Sequence, residues 1–180
     1  MKILSIIPAK LDSKRLEKKN IQLINKKTLV EHSIDYARAT EYENKIVISS
    51  EADLVEQIAI KNNVTFLKRD KSLCGDTEVV DVYINIIQNI NEKFDYVVAL
   101  QPDHPDREHT LDFCLNYMIE NNYDDLITIE PNYKRSGSVR IFKYDFLLNQ
   151  NVSKRIGCLK DSATDIHYLK DLNQAKHKMK

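Results

Sequence analysis

The chain is short of net charge, long apolar runs and paired cysteines, and each shortage excludes something. Its 27 basic and 27 acidic side chains cancel, so no global field recruits nucleic acid or anionic lipid, and any anion site must be local. No stretch approaches the roughly 20 apolar residues that span a bilayer. The apolar run at residues 3–8 is too short for the core of a secretory signal. Cys74, Cys114 and Cys158 are far apart and odd in number, without the close pairing of disulfide frameworks or cysteine metal sites. They read as reduced thiols in a cytoplasmic protein. The five histidines have no HExxH spacing, which argues against a zinc hydrolase. Four prolines and three glycines nowhere gather into a linker, so residues 1–180 are expected to form a single domain.

What is present is an alternation of short apolar runs with helical patterns. Residues 3–8, 45–49, 95–100 and 126–129 are nearly continuous in Ile, Val and Leu, as parallel strands covered on both faces require. Between them, 28–39, 78–90 and 111–119 carry apolar stripes at helical spacing. Further strands are expected at 64–67, 138–142 and 155–159, then a final helix from Tyr168 whose lysine-rich end, 170–180, reads as solvated and frayed. Such alternation predicts a three-layer α/β, Rossmann-like fold with a mostly parallel central sheet. Ligands then belong beyond the strand ends, in the loops after Ile7, Ser49 and Leu100.

The first of these loops holds five basic and two acidic residues between positions 10 and 20 of a chain whose total is zero. Lysines offer point charges, Arg15 can grip two phosphate oxygens and Ser13 can donate a hydroxyl proton. A solvated basic loop is the competing reading.

The stretch Ile6 to Leu16, followed by Lys19-Asn20-Ile21, resembles the Pro-Ala-Arg-x-Gly-Ser-Lys-Arg-Leu and Lys-Asn-Ile signature of the acylneuraminate and Kdo cytidylyltransferases. Four further stretches agree in order. Ile46 to Ser50 resembles the second strand and its Ser/Thr-rich turn before a charged helix; Arg69, Leu73 and Asp76 resemble Arg-x-x-x-Leu-x-x-Asp. Leu100 to Arg107 resembles Leu-Gln-Pro-Thr-Ser-Pro-Leu-Arg, and Asp165-Ile166-His167 with Asp171-Leu172 resembles Asp-Ile-Asp ahead of an Asp-Leu pair. The resemblance implies a nucleotidyltransferase fold, with CMP passing from CTP to a sialic-acid-like or Kdo-like sugar, or to a smaller acceptor, for surface-polysaccharide synthesis. By the same resemblance Pro8 and Ala9 open the nucleotide loop, Lys10, Ser13, Lys14 and Arg15 hold the triphosphate, and Asn20 and Arg69 help bind the nucleoside. Gln101, Asp103 and His104 face the acceptor, while Asp165 and His167 stand where two carboxylates carry Mg²⁺ or Mn²⁺. Lys10, Lys14 and Asp165 are the expected catalytic groups.

The pattern departs from the family in four places. Lys10 replaces Arg, Asp12 replaces Gly and His167 replaces an acid. The fourth is a length: Ile129 is followed within a dozen residues by Gly137 to Phe142, where relatives carry a longer region that contributes to a homodimer. These departures motivate a second hypothesis, a nucleotide-binding or interaction module with impaired catalysis, and a third, a nucleotidyltransferase using another base. Asp103 and His104 could form an acid/base pair or simply cap the next helix. Tyr133, Lys134 and Arg135 could meet an anionic acceptor or form a solvated turn, and Cys74, beside Gly75, has no base nearby in sequence that would make it a nucleophile.

Overall fold

The computed structural model describes residues 1–75 and 77–180; Asp76, the last member of the third motif, lies outside them. In chain order the first half contains β1 (Lys2–Pro8), a small hairpin of β2 (Leu23–Ile24) and β3 (Lys27–Thr28), α1 (Leu29–Arg38), β4 (Glu43–Ser50), α2 (Asp53–Lys61), β5 (Thr65–Lys68) and α3 (Val79–Asn89). The second half contains β6 (Tyr96–Ala99), α4 (Leu111–Glu120), β7 (Asp125–Ile129), β8 (Arg135–Lys143), α5 (Tyr144–Leu148), β9 (Ile156–Lys160) and α6 (Leu169–Lys178).

Seven strands form one sheet in the order β5-β4-β1-β6-β8-β7-β9. The β1–β4, β4–β5, β1–β6 and β7–β9 pairs are parallel, and β8 runs antiparallel to both β6 and β7. The mostly parallel sheet is therefore as expected, with β8 reversed because it returns directly from β7. That return is a tight turn: Tyr133 N–H donates to the Glu130 carbonyl at 2.9 Å, with Tyr133 at φ 67°. Tyr133 is 72% exposed and Lys160 Nζ lies 4.4 Å from its ring centroid, so Tyr133 caps a hairpin corner, while Lys134 lines a second hollow together with Asp165 and His167.

One face of the sheet packs on α1, α2 and α4 through Ile3, Ile7, Ile34, Val55 and Leu115. The other packs on α3 and α5 through Leu4, Ile6, Tyr83, Ile86 and Leu147. Successive β1 residues thus enter opposite cores, the reason that strand is apolar on both faces apart from the buried Ser5. Helix α2 has few fully buried positions, Val55 and Ala59, which is why its stripe is faint in the sequence. Helix α6 forms where expected, with Lys170 and Lys178 exposed, but it is more than a solvated, frayed end. Leu172 and Ala175 are buried against Ile24, Leu29 and Ile166, so the carboxy-terminal helix locks onto the β2–β3 hairpin. Among the described residues no helix is long and apolar enough to cross a membrane.

Helix α1 begins with a capping box in which Glu31 N–H donates to Thr28 Oγ1 and Thr28 N–H donates to the Glu31 carboxylate. Burial alone would push the Glu31 carboxyl upward, but the Thr28 N–H and Lys61 Nζ outweigh it and hold it at about 2 instead of 4.5. A carboxyl lowered on folding stabilises above its unfolded value and loses that contribution as pH falls through the folded one. Glu31→Gln is expected to cost up to about 3 kcal/mol at pH 7, and the gap from the parent should close between pH 4.5 and about 2. Urea unfolding across that range checks it.

Candidate functional site

A cleft of about 440 Å³ opens at the carboxyl ends of β1, β5 and β6, where a doubly wound sheet leaves a crevice. The loop after β1 is held open around it. Ala9 N–H donates to the Ser49 carbonyl at 2.9 Å, Leu11 N–H to Glu51 Oε1 at 2.9 Å, and Asn20 Nδ2 to the Lys10 carbonyl at 2.8 Å. Asp12 is not among the residues with positive φ, so the position does not demand the backbone freedom of glycine. Its carboxylate lies 3.8 Å from Lys10 Nζ, which also donates to the Gly75 carbonyl at 3.0 Å. Lys14 and Arg15 are exposed and line the cleft with Ser13. Arg15 also stands 6.0 Å from the Tyr168 ring centroid.

Arg69 is buried at the back of the cleft, donating to the Ser49 carbonyl at 2.8 Å, with Glu51 4.0 Å away. Burial lowers its pKa, opposed by the Glu51 charge, and it remains a cation. Asn20 is buried too, and its Oδ1 has no partner among the described residues.

The opposite wall is the loop after β6. Arg107 donates to the carbonyls of Gln101 and Ser138 at 2.7 and 2.9 Å and stacks 4.9 Å from the Tyr36 ring centroid, which fixes that loop against β8. Gly137 leaves room for Gln101: a Cβ there would lie 2.4 Å from the Gln101 side-chain amide. Lys19 Nζ forms an ion pair with Asp103 Oδ2, both side chains being 13% exposed. Burial would raise the Asp103 carboxyl, but the His104 ring and the Lys19 ammonium overcome that and hold it well below the usual carboxylate range.

The segment after β9 lies across this loop. Ile166 N–H donates to the Asp103 carbonyl at 3.0 Å, and Thr164 donates twice to the Asp106 carboxylate at 2.8 Å. Asp161 accepts from Ser138 Oγ and from Ala163 N–H. The strap so formed delivers Asp165 to His104, whose Nε2 is 3.9 Å from Asp165 Oδ1, and to His167, whose Nε2 is 2.9 Å from Asp165 Oδ2. Asp103, His104 and Asp165 each present an atom within 4.8 Å of the others. Their donor set suits a divalent cation: two carboxylates and a buried imidazole nitrogen left without a partner among the described residues.

Pro8, Lys10, Ser13, Lys14, Arg15, Asn20, Arg69, Gln101, Asp103 and His167 therefore share one cleft. Ala9 does not line it: its methyl is wholly buried and its N–H is taken by Ser49. Expected to face the acceptor, His104 is instead 2% exposed beneath the loop, drawn there by its 3.0 Å bond to Asp103. Asp165 and His167 touch, as their spacing expects, yet the three-residue group that could share an ion contains His104 and Asp103. Cys74 is free, with Sγ on the Asp70 carbonyl at 3.4 Å. Cys114 is buried and its thiol pushed up to about 12. Sequence reasoning missed Lys19, Arg107 and Gly137 as site residues; each lay inside a quoted motif, but its partner is remote in the chain.

A cytidylyltransferase family model matches residues 4–176. The CMP-N,N'-diacetyllegionaminic acid synthase of Legionella pneumophila is 31% identical over 113 residues, 60% of this chain and 49% of that protein. The pseudaminic acid cytidylyltransferase of Campylobacter jejuni is 36% identical over 110 residues, 58% of this chain and 47% of that one. The chain thus spans about half the length of these curated relatives. A solved CMP:2-keto-3-deoxy-manno-octonic acid synthetase, complexed with CTP, superposes with a TM-score of 0.79 at 13% identity, covering 99% of this chain and 98% of its own; at that identity the likeness establishes the fold.

Gly137→Ala would displace only the flexible end of Gln101. Its expected effect on urea unfolding is below about 1 kcal/mol, while the Gln101 side-chain amide resonances should shift clearly in nitrogen-correlated NMR spectra.

Proposed function

The chain belongs to the cytidylyltransferase family, and we propose that it transfers CMP from CTP to an acidic sugar with release of pyrophosphate. The observation that carries this reading is the gathering of Lys10, Lys14, Arg15 and Lys19 on one cleft in a chain whose net charge is zero. That concentration of cations suits a triphosphate, and the relatives whose names specify legionaminic and pseudaminic acids support an acidic sugar as acceptor.

In this reaction an acceptor hydroxyl attacks the α-phosphorus. The new P–O bond forms as the bond to pyrophosphate breaks, and the hydroxyl proton is released. Little covalent chemistry falls to the protein, so positioning and charge stabilisation dominate. Lys10 and Lys14 neutralise the triphosphate as charge moves onto the leaving pyrophosphate. Arg15 supplies the two-pronged grip that Lys10, standing where relatives have Arg, gives up. Lys19, held by Asp103 at the junction of the two walls, suits the phosphate nearest the acceptor. Asn20 Oδ1 and the buried Arg69 support the nucleoside side. A divalent cation, Mg²⁺ or Mn²⁺, would be held between His104 and Asp165, with Asp103 orienting the His104 ring and adding negative charge, and would neutralise phosphate charge. His167 orients Asp165 from the other side.

The test is pyrophosphate release from CTP, GTP, UTP and ATP with a panel of ulosonic acids and smaller acceptors. Release is expected to require CTP together with an acidic sugar, and Lys14→Ala should lower kcat/KM about 100-fold or more. Preference for another triphosphate would overturn the base assignment. Calorimetric binding of CTP without release from any pair would leave a binding module, a reading favoured by the contacts of Lys10 with Gly75 and Asp12.

A further inference from the structure

We propose that His104 is a direct ligand of the cation at this site, through Nε2 opposite Asp165, so that the site prefers a first-row transition ion such as Mn²⁺ to Mg²⁺. The proposal rests on the cation-assisted transfer put forward above and names what that cation is.

The hydrogen bonds determine which nitrogen is available. Asp103 is ionised and can only accept, so the 3.0 Å contact from His104 Nδ1 to Asp103 Oδ1 requires Nδ1 to carry the proton. The other oxygen of Asp103 is taken by Lys19, which fixes the carboxylate and, through it, the ring plane. Nε2 is then the free position. It lies in a side chain that is 2% exposed, without a partner among the described residues, and a buried nitrogen left so is costly.

What Nε2 faces is Asp165 Oδ1, 3.9 Å away. That separation is too long for a direct hydrogen bond, and two lone-pair atoms facing each other favour a cation between them. His167 does not fill this role, because its Nε2 is engaged with the other Asp165 oxygen at 2.9 Å. A histidine that donates one ring N–H to a carboxylate and aims the other nitrogen at an acidic oxygen has the arrangement metal-ligating histidines use, with the carboxylate setting tautomer and orientation. Mg²⁺ prefers an all-oxygen shell, whereas an imidazole donor strengthens the binding of first-row transition ions. The position next to Asp103 therefore selects the ion, while Asp103 and Asp165 supply its charge balance.

The experiment is pulsed EPR of the chain of residues 1–180 loaded with Mn²⁺ alone, without nucleotide, together with Mn²⁺ titration in competition with Mg²⁺. Bound Mn²⁺ is expected to show modulation from one directly coordinated nitrogen, and Mg²⁺ to displace it only in excess. His104→Gln should remove the nitrogen modulation and weaken Mn²⁺ at least about tenfold, leaving Mg²⁺ affinity little changed. His167→Gln should keep the modulation. Bound Mn²⁺ without nitrogen modulation, modulation that survives His104→Gln, or Mg²⁺ binding as tightly as Mn²⁺ would overturn the proposal, as would failure to bind Mn²⁺ at all. The wild-type spectrum decides even if the buried histidine variant does not fold. Pyrophosphate release measured in parallel separates the two readings. Release without nitrogen modulation removes this inference alone, whereas modulation without release for any nucleotide and ion removes the transfer reading and leaves the cation site.

Discussion

One main-chain hydrogen bond, from Ile166 N–H to the Asp103 carbonyl at 3.0 Å, holds together two stretches remote from each other in the chain, and the chemistry of the cleft depends on it. Ile166 itself is fully buried among Ile24, Leu29, Leu172 and Ala175, so the strap is fastened by apolar packing on one side and by backbone pairing on the other. Asp106 and Asp161 secure its approach by accepting from Thr164, Ala163 and Ser138. With the strap in place Asp165 reaches His104. Without it the loop after β6 would still pair Asp103 with Lys19 and His104, but no carboxylate would face His104 Nε2.

The site then reads as an alternation of charge. Lys19, Asp103, His104, Asp165 and His167 follow one another, each carboxylate lying against two basic groups. Such alternation makes partial burial of acidic groups tolerable, because an uncompensated carboxylate in the same place would be raised in pKa by desolvation. It also leaves the other side of the cleft basic, since Lys10, Lys14 and Arg15 line it and belong to a separate loop. A chain of zero net charge can therefore present a locally cationic cleft and an acidic cluster side by side. Helix α6, whose lysine-rich end reads from the sequence as a solvated face, contributes to this separation through the packing that anchors the strap.

The local elements were legible because their signals are local. The Ile and Leu of β1, the stripes of α1, α3 and α4, and the loop motif from Pro8 to Arg15 are each set by neighbours in sequence, through the periodicity of strand and helix and the charge of a short segment. Glycine scarcity was legible too, but its consequence at Asp12 was not, since only the backbone angles show that the position avoids positive φ. By itself the sequence determined the α/β alternation, the family motifs and the place of the basic loop. Only the tertiary structure decided that His104 is buried between two carboxylates, that Arg107 and Gly137 hold Gln101, and that Lys19 pairs with Asp103. Those outcomes arise from contacts between segments far apart in the chain, where the energy of burying and pairing polar groups, absent from any local pattern, selects the partner.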